Sequence, residues 1–421
     1  MCKYVIEGAR RLCGSTEIHG AKNSALPILA ASIVCKGTNV IHNCPELSDI
    51  DATVNILRHL GCTVTRERDT VTVDSSVITQ NGIPDELMRE MRSSVIFLGA
   101  ILSRTGEVSL STPGGCEIGL RPIDIHLDGI EKLGADVTSE YGLVKCRTNG
   151  RLRGTKINLS FPSVGATENI MIAAATADGV TVITNAAREP EISDLADFLN
   201  RGGARIAGAG ESTIVIEGVR ELTGAEHTVI PDRIVAASYL AAAACTGGSV
   251  ELANVIPAHL EPVLNVFEES GCRVDVNGRK IALTAPSRLK SVKMIRTMPY
   301  PGFPTDIQAP VAAMLTLARG TSLIVETIFE SRYKYIGELV RFGAKINVDG
   351  RMAVIEGVPS LHGASVVSPD LRGGMALIIA GLAAEGTTVV TDDGHIGRGY
   401  EYPERVLSKL NAKIKRTDQD D

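Results

Sequence analysis

Tryptophan is absent from the 421-residue chain, and seven phenylalanines and eight tyrosines bring the aromatic share to only 4%. The apolar share of 44% therefore rests on Ala, Ile, Leu and Val, which describes a core packed with small aliphatic side chains. Nine cysteines, at 2, 13, 35, 44, 62, 116, 146, 245 and 272, are an odd number with no CxxC pair. Neither a disulfide framework nor a zinc cluster is suggested, and all but Cys116 read as small core hydrophobes. Eight histidines without an HExxH pattern give no support to a metal site. Basic excess is missing too. A formal net charge of −6 gives no whole-surface reason to expect nucleic acid or an anionic membrane as partner, so any anion site must be a local basic cluster. The segment MCKYVIEGARRLC lacks the apolar core of a signal peptide, and the longest tight apolar stretch, 375–384, is too short to span a bilayer. A cytoplasmic protein without a membrane anchor is expected.

What the chain does contain is repetition. Its length exceeds one ordinary domain, so two domains are the starting expectation. Six segments align: AKNSALPILAASIVCKGTNVI, MRSSVIFLGAILSRTGEVSL, ATENIMIAAATADGVTVI, PDRIVAASYLAAAACTGGSVEL, PTDIQAPVAAMLTLARGTSLIV and PDLRGGMALIIAGLAAEGTTVV. Each opens on a polar cluster, runs through Ala-rich apolar turns, breaks at Gly and gives a short β-branched run, which reads as helix, stop, strand. A second helix with one apolar face follows and ends at a small-residue pair. The pairs begin at 61, 134, 203, 271, 343 and 411, in steps of 73, 69, 68, 72 and 68 residues. The expected unit is a βαβαββ module used six times. The first helix of each module, apolar almost all round, should be buried, and the second should lie against solvent or a sheet. Three modules per domain put a linker near 228–231. The strand expected at 4–7 would pair with the C-terminal half and make that domain discontinuous.

The charged residues that open the six apolar helices are Lys22, Arg92, Glu168, Arg233, Asp306 and Arg372. If threefold packing brings these starts together, backbone N–H groups and cationic side chains converge as in phosphate sites. Taken singly, each could equally be a cap or a solvated charge. The loop TPGGCEIGLRP interrupts the second module and should be exposed. In it, Cys116 lies off any apolar stripe, with Arg121 favouring the thiolate and Glu117 opposing it, so the pattern leaves open a reactive thiol or an incidental loop cysteine. Asp306, in PGFPTD, could satisfy a helix dipole or act as a base. Arg398, between two glycines in the corresponding turn of the sixth module, could close onto an anion or be a surface arginine.

GAKNSALP, PGGCEIGLRPID, FPSVGATEN, EPEISDLA, IPDRI, TMPYPGFPTD and DLRGG, in this order and over essentially the whole chain, resemble the UDP-N-acetylglucosamine 1-carboxyvinyltransferases. The resemblance implies a two-domain, inside-out α/β barrel of six repeats, with residues 22–229 as the first domain, 1–21 plus 230–421 as the second, and a cleft between them. It implies transfer of the enolpyruvyl group of phosphoenolpyruvate to the 3-hydroxyl of UDP-N-acetylglucosamine, at the start of peptidoglycan synthesis, with no metal or organic cofactor. Lys22, Asn23, Arg121 and Arg398 would hold phosphoenolpyruvate. Arg92, Arg121, Pro122, Ile123, Asp124, Ile125, Ser163, Val164, Gly165, Asp306 and Ile328 would contact the UDP-sugar, and Asp370 and Arg372 would complete the network. Cys116 would protonate the methylene carbon of phosphoenolpyruvate and Asp306 would take the proton of the attacking hydroxyl. Because the loop keeps Cys116 where some relatives have Asp, inactivation by the epoxide fosfomycin is expected. At Ser48 and Phe161 some members carry lysine instead.

Two other readings compete. A related transferase of the same fold would act on shikimate 3-phosphate, but the PGGC cysteine argues against it. A non-catalytic clamp or RNA-end-binding protein built from similar repeats would carry a basic, salt-dependent surface, which the acidic balance disfavours. No obligate protein partner is expected.

Overall fold

The computed structural model of the chain describes residues 1–111 and 123–418, without the side chain of Arg92. Two compact units are present. One is continuous and comprises residues 20–111 and 123–230. The other is discontinuous and joins Met1–His19 to residues 231–418.

Every sheet of four strands has the same arrangement: an edge strand parallel to its neighbour, which is antiparallel to a third, itself antiparallel to a fourth. In the continuous unit the long strands are Thr38–His42, Glu107–Ser111 and Val180–Thr184, whose parallel partners are Glu226–Thr228, Gly82–Ile83 and Lys156–Asn158. In the discontinuous unit they are Ser249–Ala253, Thr321–Val325 and Thr387–Asp392, partnered by Cys13–Glu17, Ile295–Arg296 and Ser365–Val367. The last of these sheets explains the discontinuity. Its third strand is Cys2–Glu7, inserted between Thr387–Asp392 and Lys413–Asp418, with Tyr4 opposite Val390 on one side and Arg416 on the other. The N-terminal segment thus supplies two strands to the unit that contains the C-terminal half.

The strands alternate in the manner of sheets with one wet face. In Thr213–Glu217, Ile214 and Ile216 are buried while Thr213, Val215 and Glu217 are exposed. The buried faces meet helices that have no polar side. In Arg233–Cys245 every residue from Ile234 to Cys245 is buried, and in Leu371–Ala383 every residue from Arg372 to Leu382. Together with Thr305–Leu315 these helices pack pairwise in the discontinuous unit. In the continuous unit, Phe97–Thr105 packs on Val164–Ala174 and on Lys22–Ala31. Small residues permit the approach: a Cβ on Gly99 would lie 2.4 Å from the Asn169 carbonyl oxygen. The second helices are one-sided. Pro190–Arg201 buries Ile192, Leu195, Phe198 and Leu199 and turns Asn200 and Arg201 outward.

Seven cysteines, at 2, 35, 44, 62, 146, 245 and 272, are buried, and burial pushes their thiols up. Cys13 departs from the expectation of a core hydrophobe: it opens the parallel strand Cys13–Glu17 with its side chain exposed.

Sheet ends press directly on helix ends. Gly357, just after Met352–Glu356, leaves no room for a side chain, since a Cβ there would fall 1.5 Å from the Ala318 carbonyl oxygen. Gly357→Ala should therefore cost at least about 2 kcal/mol of unfolding free energy through forced backbone displacement. Urea denaturation measures this, and a midpoint equal to that of the parent chain would contradict so tight a contact.

Candidate functional site

Five of the six charged residues expected at the starts of the apolar helices stand there or just before. Lys22 and Arg233 are the first residues of Lys22–Ala31 and Arg233–Cys245, and Asp306 and Arg372 are the second residues of Thr305–Leu315 and Leu371–Ala383. Arg92 opens a 3-10 turn, Arg92–Ile96, that leads into Phe97–Thr105. Glu168 is the exception. It lies a full turn inside Val164–Ala174, 4% exposed, and burial reinforced by Glu191 and Glu189 pushes its carboxyl well above the ordinary range. The start belongs to Ser163, whose hydroxyl accepts a hydrogen bond from the Ala166 N–H at 3.3 Å.

In the continuous unit, Lys22 is buried against Asp49, with Nζ 2.9 Å from Oδ2. A lone ammonium would not be tolerated there, so the pairing keeps the cation in place. The same turn is fixed by Asp194, which accepts from the Ser24 hydroxyl and the Ile230 N–H and lies 2.8 Å from His227 Nε2. Lys22 and Asn23 thus stand on a helix start anchored at two buried carboxylates. Ile123 caps the helix Asp124–Lys132, and Asp124 and Ile125 form its first turn. His126 joins that turn to residues 163–165: a Cβ on Gly165 would lie 3.1 Å from its Cε1, and its Nδ1 is 3.0 Å from Asn169 Nδ2. Burial pushes the His126 imidazole down to about 4, opposed weakly by Asp124, so the ring is neutral and can accept from Asn169. Of the two positions where some relatives carry lysine, Ser48 begins the helix Ser48–His59 and Phe161 is exposed.

In the discontinuous unit, Asp306 lies between two guanidinium groups. Arg332 Nη2 is 2.6 Å from Oδ1 and Arg372 Nη2 is 3.4 Å from Oδ2, and both arginines are 3% exposed. Arg332 also donates to the Thr305 carbonyl at 3.3 Å. Arg372 stacks over the Tyr400 ring, 5.3 Å from its centroid, while its Nε and Nη1 have no hydrogen-bond partner among the described residues. Burial would lower its pKa, but Tyr400, Asp306 and Asp232 outweigh burial and raise it, so the charge persists. Asp370 caps the same helix, accepting from the Arg372 and Gly373 N–H groups at 2.9 and 3.0 Å. Ile328 sits in the turn after Thr321–Val325, and Arg398 ends the 3-10 turn Ile396–Arg398. Pro27 and Pro310 occupy corresponding places in two of these helices, and each deprives the carbonyl four residues earlier, that of Asn23 or Asp306, of its helical donor.

Buried cations with spare donors at helix starts suit ligands rich in negative charge. A family model described as EPSP synthase (3-phosphoshikimate 1-carboxyvinyltransferase) matches residues 6–407. UDP-N-acetylglucosamine 1-carboxyvinyltransferase 2 of Caldanaerobacter subterraneus subsp. tengcongensis is 53% identical over 416 residues, covering 99% of this chain and 100% of that protein. The chain belongs to the enolpyruvyl transferases, among the UDP-N-acetylglucosamine 1-carboxyvinyltransferases. A family member from Actinobacillus succinogenes is 47% identical over 99% of both chains. Among solved structures, the enolpyruvyl transferase NikO from Streptomyces tendae matches with a TM-score of 0.89 at 25% identity over 99% of each chain. EPSP synthase from Acinetobacter baumannii, with a TM-score of 0.73 at 19% identity, shares the fold.

Of the residues expected to bind or act in this enolpyruvyl transferase, Cys116, Arg121 and Pro122 lie outside the described residues, as does the Arg92 side chain. In the discontinuous unit, Asp306, Asp370 and Arg372 share one helix-end cluster. In the continuous unit, Asp124 and Ile125 lie beside residues 163–165. Arg332, Asp49 and Asp194 were missed. Asp49 carried a signal, an acid in the first turn of an amphipathic helix, whereas Arg332 stands in the aperiodic stretch ESRYKY.

His126 ties stability to pH. The unfolded chain takes up a proton on it near 6.5 and the folded chain only near 4, so its stabilising contribution is complete above 6.5 and is lost as pH falls towards 4. The unfolding free energy should drop by up to about 3 kcal/mol from this group, and His126→Gln should flatten that part of the profile. Urea titrations across this window test it; parallel profiles for the two proteins would remove His126 as the cause.

Proposed function

We propose that this chain transfers the enolpyruvyl group of phosphoenolpyruvate to the 3-hydroxyl of UDP-N-acetylglucosamine, releasing phosphate, as a step of peptidoglycan synthesis. The observation that carries this reading is the 53% identity over 99% of the chain to a protein named for that reaction. The cationic helix ends fit it chemically, because phosphoenolpyruvate brings a carboxylate and a phosphate and the UDP-sugar a diphosphate.

In the proposed reaction the sugar hydroxyl oxygen bonds to C2 of phosphoenolpyruvate while Asp306 accepts its proton and Cys116 delivers a proton to the C3 methylene. The resulting tetrahedral intermediate is multiply anionic. Lys22, Asn23, Arg121 and Arg398 hold its phosphate and carboxylate, and Arg372, oriented by Asp370, adds fixed positive charge. Loss of a C3 proton and cleavage of the C2–O bond to phosphate then restore the double bond. Arg92, Pro122, Ile123, Asp124, Ile125, Ser163, Val164, Gly165 and Ile328 contact the nucleotide sugar. Asp306 is held by two guanidiniums, and bound substrate anions would compete for those cations as it takes the proton. No metal or organic cofactor enters this scheme.

The finer architecture belongs to the same reading: each unit is an inside-out α/β barrel of three βαβαββ modules, helices within and sheets without. What supports it is the single strand arrangement shared by the six sheets. The reaction is placed in the cytoplasm, with its product serving the wall synthesis on which cell shape and division depend.

Enolpyruvyl transfer to shikimate 3-phosphate remains the second reading, because the matching family model carries that description. Phosphate release from phosphoenolpyruvate, followed with each acceptor in parallel, separates the two. Turnover with UDP-N-acetylglucosamine alone is expected, falling at least about a hundredfold in Cys116→Ser; turnover with shikimate 3-phosphate alone would overturn the assignment. Fosfomycin should abolish the activity and leave its adduct on the peptide that contains Cys116. An inhibited enzyme with that peptide unmodified would exclude the thiol as the target.

A further inference from the structure

In five sheets the sixth residue counted from the first residue of the long strand, just beyond the strand in four and its last residue in one, falls into two chemical kinds. In three sheets it is asparagine. Asn43, Asn185 and Asn254 adopt left-handed φ of 57°, 54° and 52° and donate Nδ2 to the carbonyls of Val229, Leu159 and Ile18 at 2.9, 2.8 and 2.7 Å. Each of those carbonyls lies just beyond the parallel strand, so the amide stitches the sheet end shut. In the other two sheets the position holds an acid, Glu326 or Asp392, each 1% exposed. The sixth counterpart, Thr112, lies outside the described residues.

These acids accept hydrogen bonds from the turn that follows. Glu326 Oε1 takes the Ile328 and Phe329 N–H groups at 2.9 and 3.1 Å and the Thr297 hydroxyl at 3.0 Å, while Oε2 takes the Thr305 hydroxyl at 2.9 Å. Asp392 takes the His395 N–H at 3.1 Å and the Ile396 N–H at 3.2 Å. A carboxylate accepts through two oxygens and donates nothing, so it can gather several N–H and O–H groups where an amide would present two of its own. Full burial makes that gathering obligatory, because a buried anion left short of donors is costly.

We infer that Glu326 and Asp392 are positioning residues for the transfer reaction, shaping the turns that carry Ile328 and Arg398 and, through Thr305, the helix start that carries Asp306. This rests on the proposed function for the tasks of those three residues. The pinning of the turns rests on the hydrogen bonds alone.

Glu326→Gln and Asp392→Asn test it, since each keeps the side-chain shape and puts an NH2 group among N–H donors. A buried NH2 group facing N–H donors costs about 1–3 kcal/mol, so a modestly lowered thermal midpoint is expected in each variant. Amide hydrogen exchange should quicken at 328–329 in the first variant and at 395–396 in the second, whatever the substrate; unchanged exchange at those amides would overturn the inference. With UDP-N-acetylglucosamine and phosphoenolpyruvate, Glu326→Gln should raise the KM for the nucleotide sugar about tenfold and lower kcat, and Asp392→Asn should raise the KM for phosphoenolpyruvate about tenfold. Glu326→Gln combined with Thr305→Val should be less than additive in kcat. An equal loss in kcat and in both KM values, with no substrate selectivity, would mark a merely structural role and overturn the inference. A parent chain inactive on the UDP-sugar would instead remove the proposed function, and the exchange result would stand apart from it.

Discussion

A helix with no polar side cannot border water, and this constraint organises the chain. Such helices must be enclosed by elements with one apolar face, which the alternating strands and amphipathic second helices supply. Apart from a few enclosed groups such as Glu168, Asn169 and Ser238, their polar features gather at their ends. The buried cations Lys22 and Arg372 accordingly stand at helix starts. Enclosure also makes each charge at those ends expensive. Lys22 is held by Asp49, and Asp306 joins Arg332 and Arg372, because removing one member of a buried pair costs on the order of 3–5 kcal/mol.

That constraint also governs what could be read in advance. The apolar helices were legible because burial on all sides leaves an unbroken Ala-rich run that a Gly then stops, repeated at a near-constant interval. Arg233 and Lys22 were legible as helix starts because polar residues precede the run directly. Glu168 was misjudged because the helix begins at Val164, four residues before it, with Ser163 as its cap. The two-strand contribution of the N-terminus was only half visible. Pairing of Cys2–Glu7 with the C-terminal half could be anticipated, but not its insertion between two strands, which depends on register across nearly four hundred residues.

The residues that sequence reasoning missed share a physical character. Asp49, Asp194, Arg332 and Glu326 are buried charges whose meaning lies in a partner distant in the chain or in a turn without periodicity. No local pattern distinguishes a carboxylate that will accept four hydrogen bonds in the core from one that will point to solvent. Only the fold brings Thr297, Thr305, Ile328 and Phe329 around Glu326.

Six sheets of one design need not end alike. Where a strand end has only to close the sheet, an amide that donates to the neighbouring carbonyl is enough, and the left-handed backbone that asparagine tolerates turns the chain away. Where the position draws the following turn inward, a carboxylate suits it, because it gathers several N–H and O–H groups with no donor of its own to satisfy. The chemistry at this position thus separates strand ends that close on the neighbouring carbonyl from those that draw in the following turn. The two kinds direct their hydrogen bonds oppositely: the asparagines donate sideways to the carbonyl beyond the parallel strand, the acids accept from the turn ahead, and at Asp392 the ladder itself reaches this position, opposite Cys2.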